Sequence, residues 1–469
     1  MTKTDPDFMR KLLRLVLPIA FQQFMLALVS ASDALMLGAL MQEALSAVSL
    51  AGQIAFVQNL FLAAMTIGFS ALAAQYWGKG DRESVERVFA HSMKVTALVS
   101  FAFTMAALAA PEGLMRLFTN EAELIVGGAV YLRAASPSYV LTGISQICLC
   151  ALKNSGRAGK SSLISAVSVV LNIALNAVLI FGLFGLPGLG IAGAALATVA
   201  ARAAEVIWCA KETAGPDRVR LRLRDLARDD RVLRKDFWKY TAPVLGNEIV
   251  WGVGFTMYSV IMGHMGSDAV AANSIANIVK NLAACFCIGL GSGGGIMVGN
   301  ELGAGRLEQA RVYGGRLCRL AVLTGTAAGA ALLLLTPLIL TAAGLNGQSS
   351  GYLRGMLAVC SYYMIGKSVN ATTIGGIFCA GGDSRFGFCC DAVTMWLVTV
   401  PLGFAAAFAL RLPMPAVYVI ISMDEIVKLP AVYRHYRKYQ WVKDLTRKEE
   451  TGDEYEGQDA HGRALSAGG

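Results

Sequence analysis

PIAFQQFMLALVSASDALMLG (Pro18–Gly38) and PVLGNEIVWGVGFTMYSVIMG (Pro243–Gly263) stand 225 positions apart, and laying one over the other decides the fold. Each is long enough to cross a bilayer, for which about 20 mostly apolar residues suffice. The register continues without a gap as far as Gly80 and Gly305. Pro18 falls on Pro243, Gly38 on Gly263, Ala44 on Ala269, Ala47 on Ala272 and Ser49 on Ser274, then Gly68 on Gly293 and Gly78 on Gly303. Isolated alanine and glycine matches come easily in this composition. A series of proline and glycine matches held over two apolar stretches and their loops marks a duplication.

The composition agrees with a chain that lives in a membrane. Of 469 residues, 55% are hydrophobic and only 16% charged, against about 25% charged in soluble domains. The 50 glycines are scattered through apolar runs, where small residues let membrane helices approach closely. The formal charge of +9 sits between and beyond the apolar runs rather than on one compact face. That argues against nucleic acid and for basic cytoplasmic loops. The apolar segment behind MTKTDPDFMRKLLRL is a full span, so it reads as an uncleaved first helix and not as a signal peptide. Most of the ten cysteines are embedded in apolar runs, with no C-x-x-C pair and no clustered histidine. They read as reduced thiols without a metal site.

Apolar windows broken by Gly, Pro or charge place twelve spans near 12–40, 44–76, 88–110, 124–152, 160–185, 188–211, 237–265, 270–301, 313–344, 351–378, 386–410 and 413–434. Basic connections (the N-terminus, Lys79–Arg87, Lys153–Lys160, Lys211–Asp236, Arg306–Arg319, Arg385 and the tail from Arg434) alternate with connections poor in Lys and Arg. The alternation predicts a multi-pass protein of the cell (inner) membrane with both termini cytoplasmic. Single residues that break the rule, Arg116, Arg354 and Arg411, can snorkel to an interface. The expected fold is an all-α polytopic membrane protein. Residues 1–211 form an N-terminal six-helix lobe, 212–236 a cytoplasmic linker, 237–442 a C-terminal six-helix lobe, and 443–469 a polar, disordered tail. The linker reads as a solvated hinge, with a surface amphipathic helix as the alternative. Six spans per lobe, an even number, relate the lobes by a pseudo-two-fold along the membrane normal, with a substrate cavity between them.

Ionisable residues inside spans are costly and mark function. Asp33 falls on Tyr258 and Glu248 on Gln23, so each leading helix keeps one acid, at non-equivalent depths, which suggests two tasks. Asp391 lies inside the eleventh span as a candidate partner of Glu248. Lys367, in mid-span, has three readings open to it: pairing with Glu248 or Asp391, holding a low pKa, or occupying the cavity when substrate is absent. Asp424, Glu425 and Lys428 fall on about one helical turn and read as a self-neutralising group. Met25, Met36, Met257 and Met262 lie on the leading helices, where thioethers suit a promiscuous surface but also an ordinary lipid or core face. Pro18 cannot donate its intrahelical bond and so is the candidate hinge.

Beyond these two stretches, GFSALAAQYWGKGD (Gly68–Asp81), LNIALNAVLIFGLFGLPGLGIAGAALAT (Leu171–Thr198), GSGGGIMVGNELGAG (Gly291–Gly305) and CAGGDSRFGFCCDAVTMWLVTVPLG (Cys379–Gly403) follow in order. Together they make the chain resemble the multidrug and toxic-compound extrusion (MATE) transporters over nearly its full length. The resemblance implies two six-helix lobes and a sodium- or proton-driven antiporter that expels bulky, often cationic, organic compounds. It implies an N-lobe cation or proton site of Asp33, Asn172, Asn176 and Thr198, whose oxygens suit a small hard cation such as Na+. Asn176 stands where some members carry Asp, which leaves simple protonation of Asp33 as an alternative to sodium. Interhelical hydrogen bonding is the alternative for the two asparagines. In the C-lobe the resemblance implies coupling through Glu248. Asp383 also matches a family motif, although Cys379 replaces a common Arg; a loop salt bridge beside Arg385 or a helix-end contact is its expected role.

No cofactor is expected beyond Na+ or H+ as coupling ion, and the partners are a small organic substrate and membrane lipids, with the protein a monomer. The nearest alternative keeps the fold and changes the cargo: a lipid-linked or polysaccharide flippase, which would want a strongly cationic lumen. A polytopic membrane enzyme would need clustered catalytic groups, and the sequence offers none.

Overall fold

The computed structural model describes residues 6–38, 42–185, 187–215, 219–220, 230–345 and 347–446. Helices are the only regular elements among them. We number the long ones α1 (Pro6–Gly38), α2 (Gln42–Lys79), α3 (Arg82–Ala109), α4 (Ala122–Asn154), α5 (Ala158–Phe181) and α6 (Gly190–Thr213). The second set is α7 (Arg231–Gly263), α8 (Ser267–Gly303), α9 (Leu307–Ala343), α10 (from Gly347), α11 (Ser384–Ala409) and α12 (from Met414). The twelve expected spans are all present as helices, in two six-helix lobes. Most of the linker and the tail beyond Thr446 lie outside the described residues.

Local chemistry sets the boundaries. Gly80 adopts φ +85° in the turn after α2, a conformation open to glycine at little cost. Asp81 then caps α3 by accepting from the Ser84 N–H at 2.9 Å, and Asp230 caps α7 by accepting from Val232 and Leu233. Inside α4, Pro137 cannot donate to the Arg133 carbonyl. The Ser136 hydroxyl donates to it instead, at 2.8 Å, as expected where no water can substitute. The outward surfaces are apolar, with Leu98, Leu334 and Leu397 each more than two-thirds exposed, as lipid contact requires.

Ten of the helices are long and apolar enough to cross a membrane; α10 and α12 depart from that pattern. α10 runs to Asn370 and continues as a π-helical segment, Ala371–Phe378, where Gly376 packs on the backbone of Gly291 in α8. α12 is broken into Met414–Ile421, Asp424–Val427 and Leu429–Tyr436. Pro430 has no N–H for the carbonyl one turn earlier, and three charged residues occupy the break. Irregular backbone at membrane depth is tolerated where it is buried in protein or lines a cavity.

The lobes meet along α1 and α2 on one side and α7 and α8 on the other, and the contacts obey the register read from the sequence. A Cβ on Gly78 would strike the Asn300 carbonyl, and a Cβ on Gly303 would strike the Gln75 carbonyl. Gln75 and Asn300 are themselves 225 positions apart, so these two contacts exchange under the pseudo-two-fold. Gly68 against Thr241 and Gly293 against Val16 form a second such pair, and Ala74 faces its own counterpart Gly299 near the axis. These contacts lie in the halves of the helices nearer the chain termini, so the lobes are sealed at that end. Buried Gln75 reinforces the seal: its amide donates to the Ala380 carbonyl at 2.7 Å and to the Lys443 carbonyl at 3.1 Å, and its oxygen accepts from the Leu445 N–H. The chain after α12 is therefore packed on the N-terminal lobe as far as Leu445, although a polar tail was expected from residue 443.

Gly78→Ala or Gly303→Ala should cost about 1–3 kcal/mol through overpacking. Gly159→Ala, with nothing within 4 Å of an added Cβ, should be neutral or slightly stabilising. Thermal unfolding of the purified variants in detergent measures the difference.

Candidate functional site

The C-terminal lobe encloses a cavity of about 260 Å³ that opens toward Ile67 of the opposite lobe. Four helices supply its charges: α7 gives Glu248, α10 gives Lys367, α11 gives Asp391, and the broken α12 gives Glu425 and Lys428. Glu425, 2% exposed, is the centre. Its carboxylate lies 3.3 Å from Lys367 Nζ and 3.0 Å from Lys428 Nζ. Asn370 donates to both its Oε2 and its backbone carbonyl at 2.7 Å. Lys428 reaches on to Asp391 at 2.7 Å. The result is a linear chain, Lys367–Glu425–Lys428–Asp391, with two charges of each sign. Desolvating such ions is costly unless each is paired and hydrogen-bonded, and here each is paired.

Three expectations need correction against this geometry. Lys367 pairs with Glu425 and not with Glu248 or Asp391, because Lys367 and Asn370 share the face of α10 that meets α12. Asp391 answers Lys428 and not Glu248. Asp424, Glu425 and Lys428 do not neutralise one another as a closed group. Successive residues of a helix point about 100° apart, so Glu425 enters the chain of charges while Asp424 faces a neighbouring cavity.

Glu248 lines the main cavity but forms no ion pair among the described residues. Its carboxylate is the unmatched charge of this site. The π-helical turns of α10 and α11 begin directly after Asn370 and Ala392, so both widened segments flank the cavity, a placement common for π-turns.

In the N-terminal lobe, Asn172 and Asn176 lie on α5 and Thr198 on α6, and the structure brings these three together. Asn176 Nδ2 donates to Asn172 Oδ1 at 3.3 Å, Asn172 Nδ2 donates to Thr198 Oγ1 at 3.3 Å, and Thr198 donates to the Ala194 carbonyl at 3.0 Å. Both asparagines are buried. The oxygens suit a hard cation, and Asn172 Oδ1 and Thr198 Oγ1 each already accept one hydrogen bond. The Asp33 side chain lies outside the described residues. Its place on α1 is nonetheless defined, because Met36 packs on Ile180 and Ala194. One turn back toward the termini along the three helices lie Asp33, Asn176 and Thr198. Pro18 is inside a continuous α1.

Asp383 joins neither site. It lies at the start of α11, 2.6 Å from His435 Nε2, and His435 stacks on Phe386 with centroids 3.8 Å apart. It pins α11 to the end of α12, a helix-end contact made without Arg385. No group of three or more His, Cys, Asp or Glu side chains that could hold a metal ion occurs among the described residues. The centrality of Glu425 was not legible in sequence, and the one available signal was three charges set around the Pro430 break.

The MatE family model matches the chain twice, over residues 18–178 and 243–405, so both matches begin at the repeat-related prolines. A probable multidrug resistance protein NorM from Rhizobium meliloti is 27% identical over 311 residues, 64% of each chain. The uncharacterized transporter YisQ from Bacillus subtilis is 22% identical over 94% of this chain and 96% of its own length. Among solved structures, the outward-facing conformation of a multidrug resistance MATE family transporter superposes with TM-score 0.84 at 19% identity. That match covers 92% of this chain and 95% of the other. With the duplicated match spanning both lobes, this chain belongs to the MatE family of membrane transporters.

Proposed function

We propose that the protein is a cation-coupled antiporter, driven by Na+ or H+, that exports bulky organic compounds from the cell by alternating access. The carrying observation is Glu248: a carboxylate facing the central cavity with no counter-ion among the described residues, beside a chain of charges that is already balanced. An inward-moving Na+ or H+ neutralises Glu248, and a substrate that needs its negative charge loses affinity. Coupling follows only if ion and substrate favour different states. Asp33, at the level of Asn176 and Thr198, gives the N-terminal lobe a second cation or proton site. Pro18 supplies a point of bending in the helix that carries it.

The name of the Rhizobium relative supports drug export, and the seal at one end of the lobes supports an outward-open state. The alternation of basic loops supports a cytoplasmic location for the sealed end and both termini, and the reading takes the protein as a monomer among the lipids of the cell (inner) membrane. The flippase reading is disfavoured because Lys367 and Lys428 are already neutralised by carboxylates, leaving little positive charge for phosphate.

Ethidium efflux from proteoliposomes under imposed Na+ or H+ gradients tests the reading. Wild type should respond to one gradient, and Glu248→Gln and Asp33→Asn should each reduce the driven component at least tenfold. Unchanged gradient-driven efflux in both variants would overturn the coupling sites. A separate prediction concerns the charge chain. Lys428→Met should destabilise the protein by about 3–5 kcal/mol, since it strands buried carboxylates. The double variant Lys428→Met/Asp391→Leu should recover more than half of that in thermal unfolding, because Lys367 still answers Glu425.

A further inference from the structure

Beside the main cavity, and sharing Trp251 and Lys367 with it, is a second cavity of about 160 Å³ between α7, α8, α10 and α12. Phe56 of the opposite lobe also lines it, so it too faces the cleft between lobes. Its two remaining charges are Lys280 and Asp424. Lys280 forms no ion pair or hydrogen bond among the described residues. Its ammonium instead lies 5.8 Å from the Phe255 ring centroid and 5.2 Å from that of Tyr363. Asp424 is 5% exposed, and its Oδ1 has no hydrogen-bond partner among the described residues. The two face the same cavity without meeting within ion-pair distance.

An ammonium and a carboxylate at membrane depth would ordinarily close on each other, since each is expensive alone. Here the aromatic rings hold the ammonium by cation–π attraction and leave its three donors unused. The cavity thus presents one fixed charge of each sign. A simple organic cation would satisfy Asp424 but be repelled by Lys280, and a simple anion the reverse. Only a molecule carrying both charges answers both. Asn277 and Asn281, spaced i, i+4 on α8, offer amides on the Lys280 side. Tyr258, which also lines this cavity, is the repeat counterpart of Asp33. The duplication has therefore left a polar site at the same depth in both lobes, and the C-terminal copy has become mixed in charge.

We propose that this cavity is a substrate subsite for aromatic zwitterions, with the carboxylate on Lys280, the ammonium on Asp424 and the ring against Phe255 and Tyr363. The proposal rests on the exporter reading and specifies its substrate class. At about 160 Å³ the cavity holds one ring with its two charged arms; a larger substrate extends past Trp251 into the main cavity.

Calorimetric titration of the full-length protein in detergent with 4-(aminomethyl)benzoate, benzylamine and benzoate tests it. The zwitterion should bind at least tenfold tighter than either singly charged probe. Lys280→Met should abolish its advantage over benzylamine, Asp424→Asn its advantage over benzoate, and Lys280→Arg should retain both. Benzylamine binding as tightly as the zwitterion to wild type, no binding of any probe, or Lys280→Met weakening all three alike would each overturn the proposal. Ethidium efflux measured in parallel separates the two readings. Its absence in wild type counts against the exporter, whereas the order of probe affinities judges the cavity.

Discussion

Two backbones can touch at membrane depth only where no side chain stands between them. At Gly78 and Gly303 this protein removes the Cβ on both sides of its pseudo-two-fold, so that each helix rests on a carbonyl of the other. Lipid offers no hydrophobic drive to press helices together, and such close packing is what holds membrane helices in contact. The axis of the molecule is set there, with Ala74 facing Gly299 beside it. The lobes are joined at this end.

The second constraint is charge. Five ionisable side chains from four helices line the main cavity, and four of them cancel through Glu425. This balance leaves Glu248 as the member of the five with no ion pair among the described residues, which is why the proposed coupling is assigned to it. Glu425 and Lys428 share one face of the broken α12 and pair at 3.0 Å, Lys428 bridges on to Asp391, and Asp424 faces the adjacent space. Gln75 and the chain around Lys443 add a polar clasp across the sealed end, which must part if that end is to open.

Much of this was legible from residues alone, and for a physical reason. Twelve spans follow from apolar runs because the bilayer imposes their length. The pseudo-symmetry follows from Pro and Gly because those residues act on the backbone, which duplication preserves. The contact of Gly68 with Thr241 and of Gly293 with Val16 turns that register into geometry. Asn172, Asn176 and Thr198 were gathered by resemblance and do meet. Charge pairing was not legible, since it depends on which helix faces meet across a lobe. Lys367 was expected to reach Glu248 or Asp391, and the packing of α10 on α12 turns it to Glu425 instead. Lys280 attracted no notice in sequence, because nothing there reveals that its neighbours would be aromatic rings and not a carboxylate. Leu445 fell within the expected polar tail; its placement against the body depends on Gln75, far away in the chain.

The central claim of the proposed mechanism is alternating access: the glycine seam at the sealed end parts as the far ends of the lobes close, and re-forms as they open. Ser49 and Ser274 are repeat-related, exposed, and near the far ends of α2 and α8. Spin labels on Ser49→Cys and Ser274→Cys in a cysteine-depleted background therefore report that opening by double electron–electron resonance. The account predicts two distance populations in reconstituted protein, whose ratio shifts in opposite directions with coupling ion and with substrate. A single distance, unchanged by either, would contradict it.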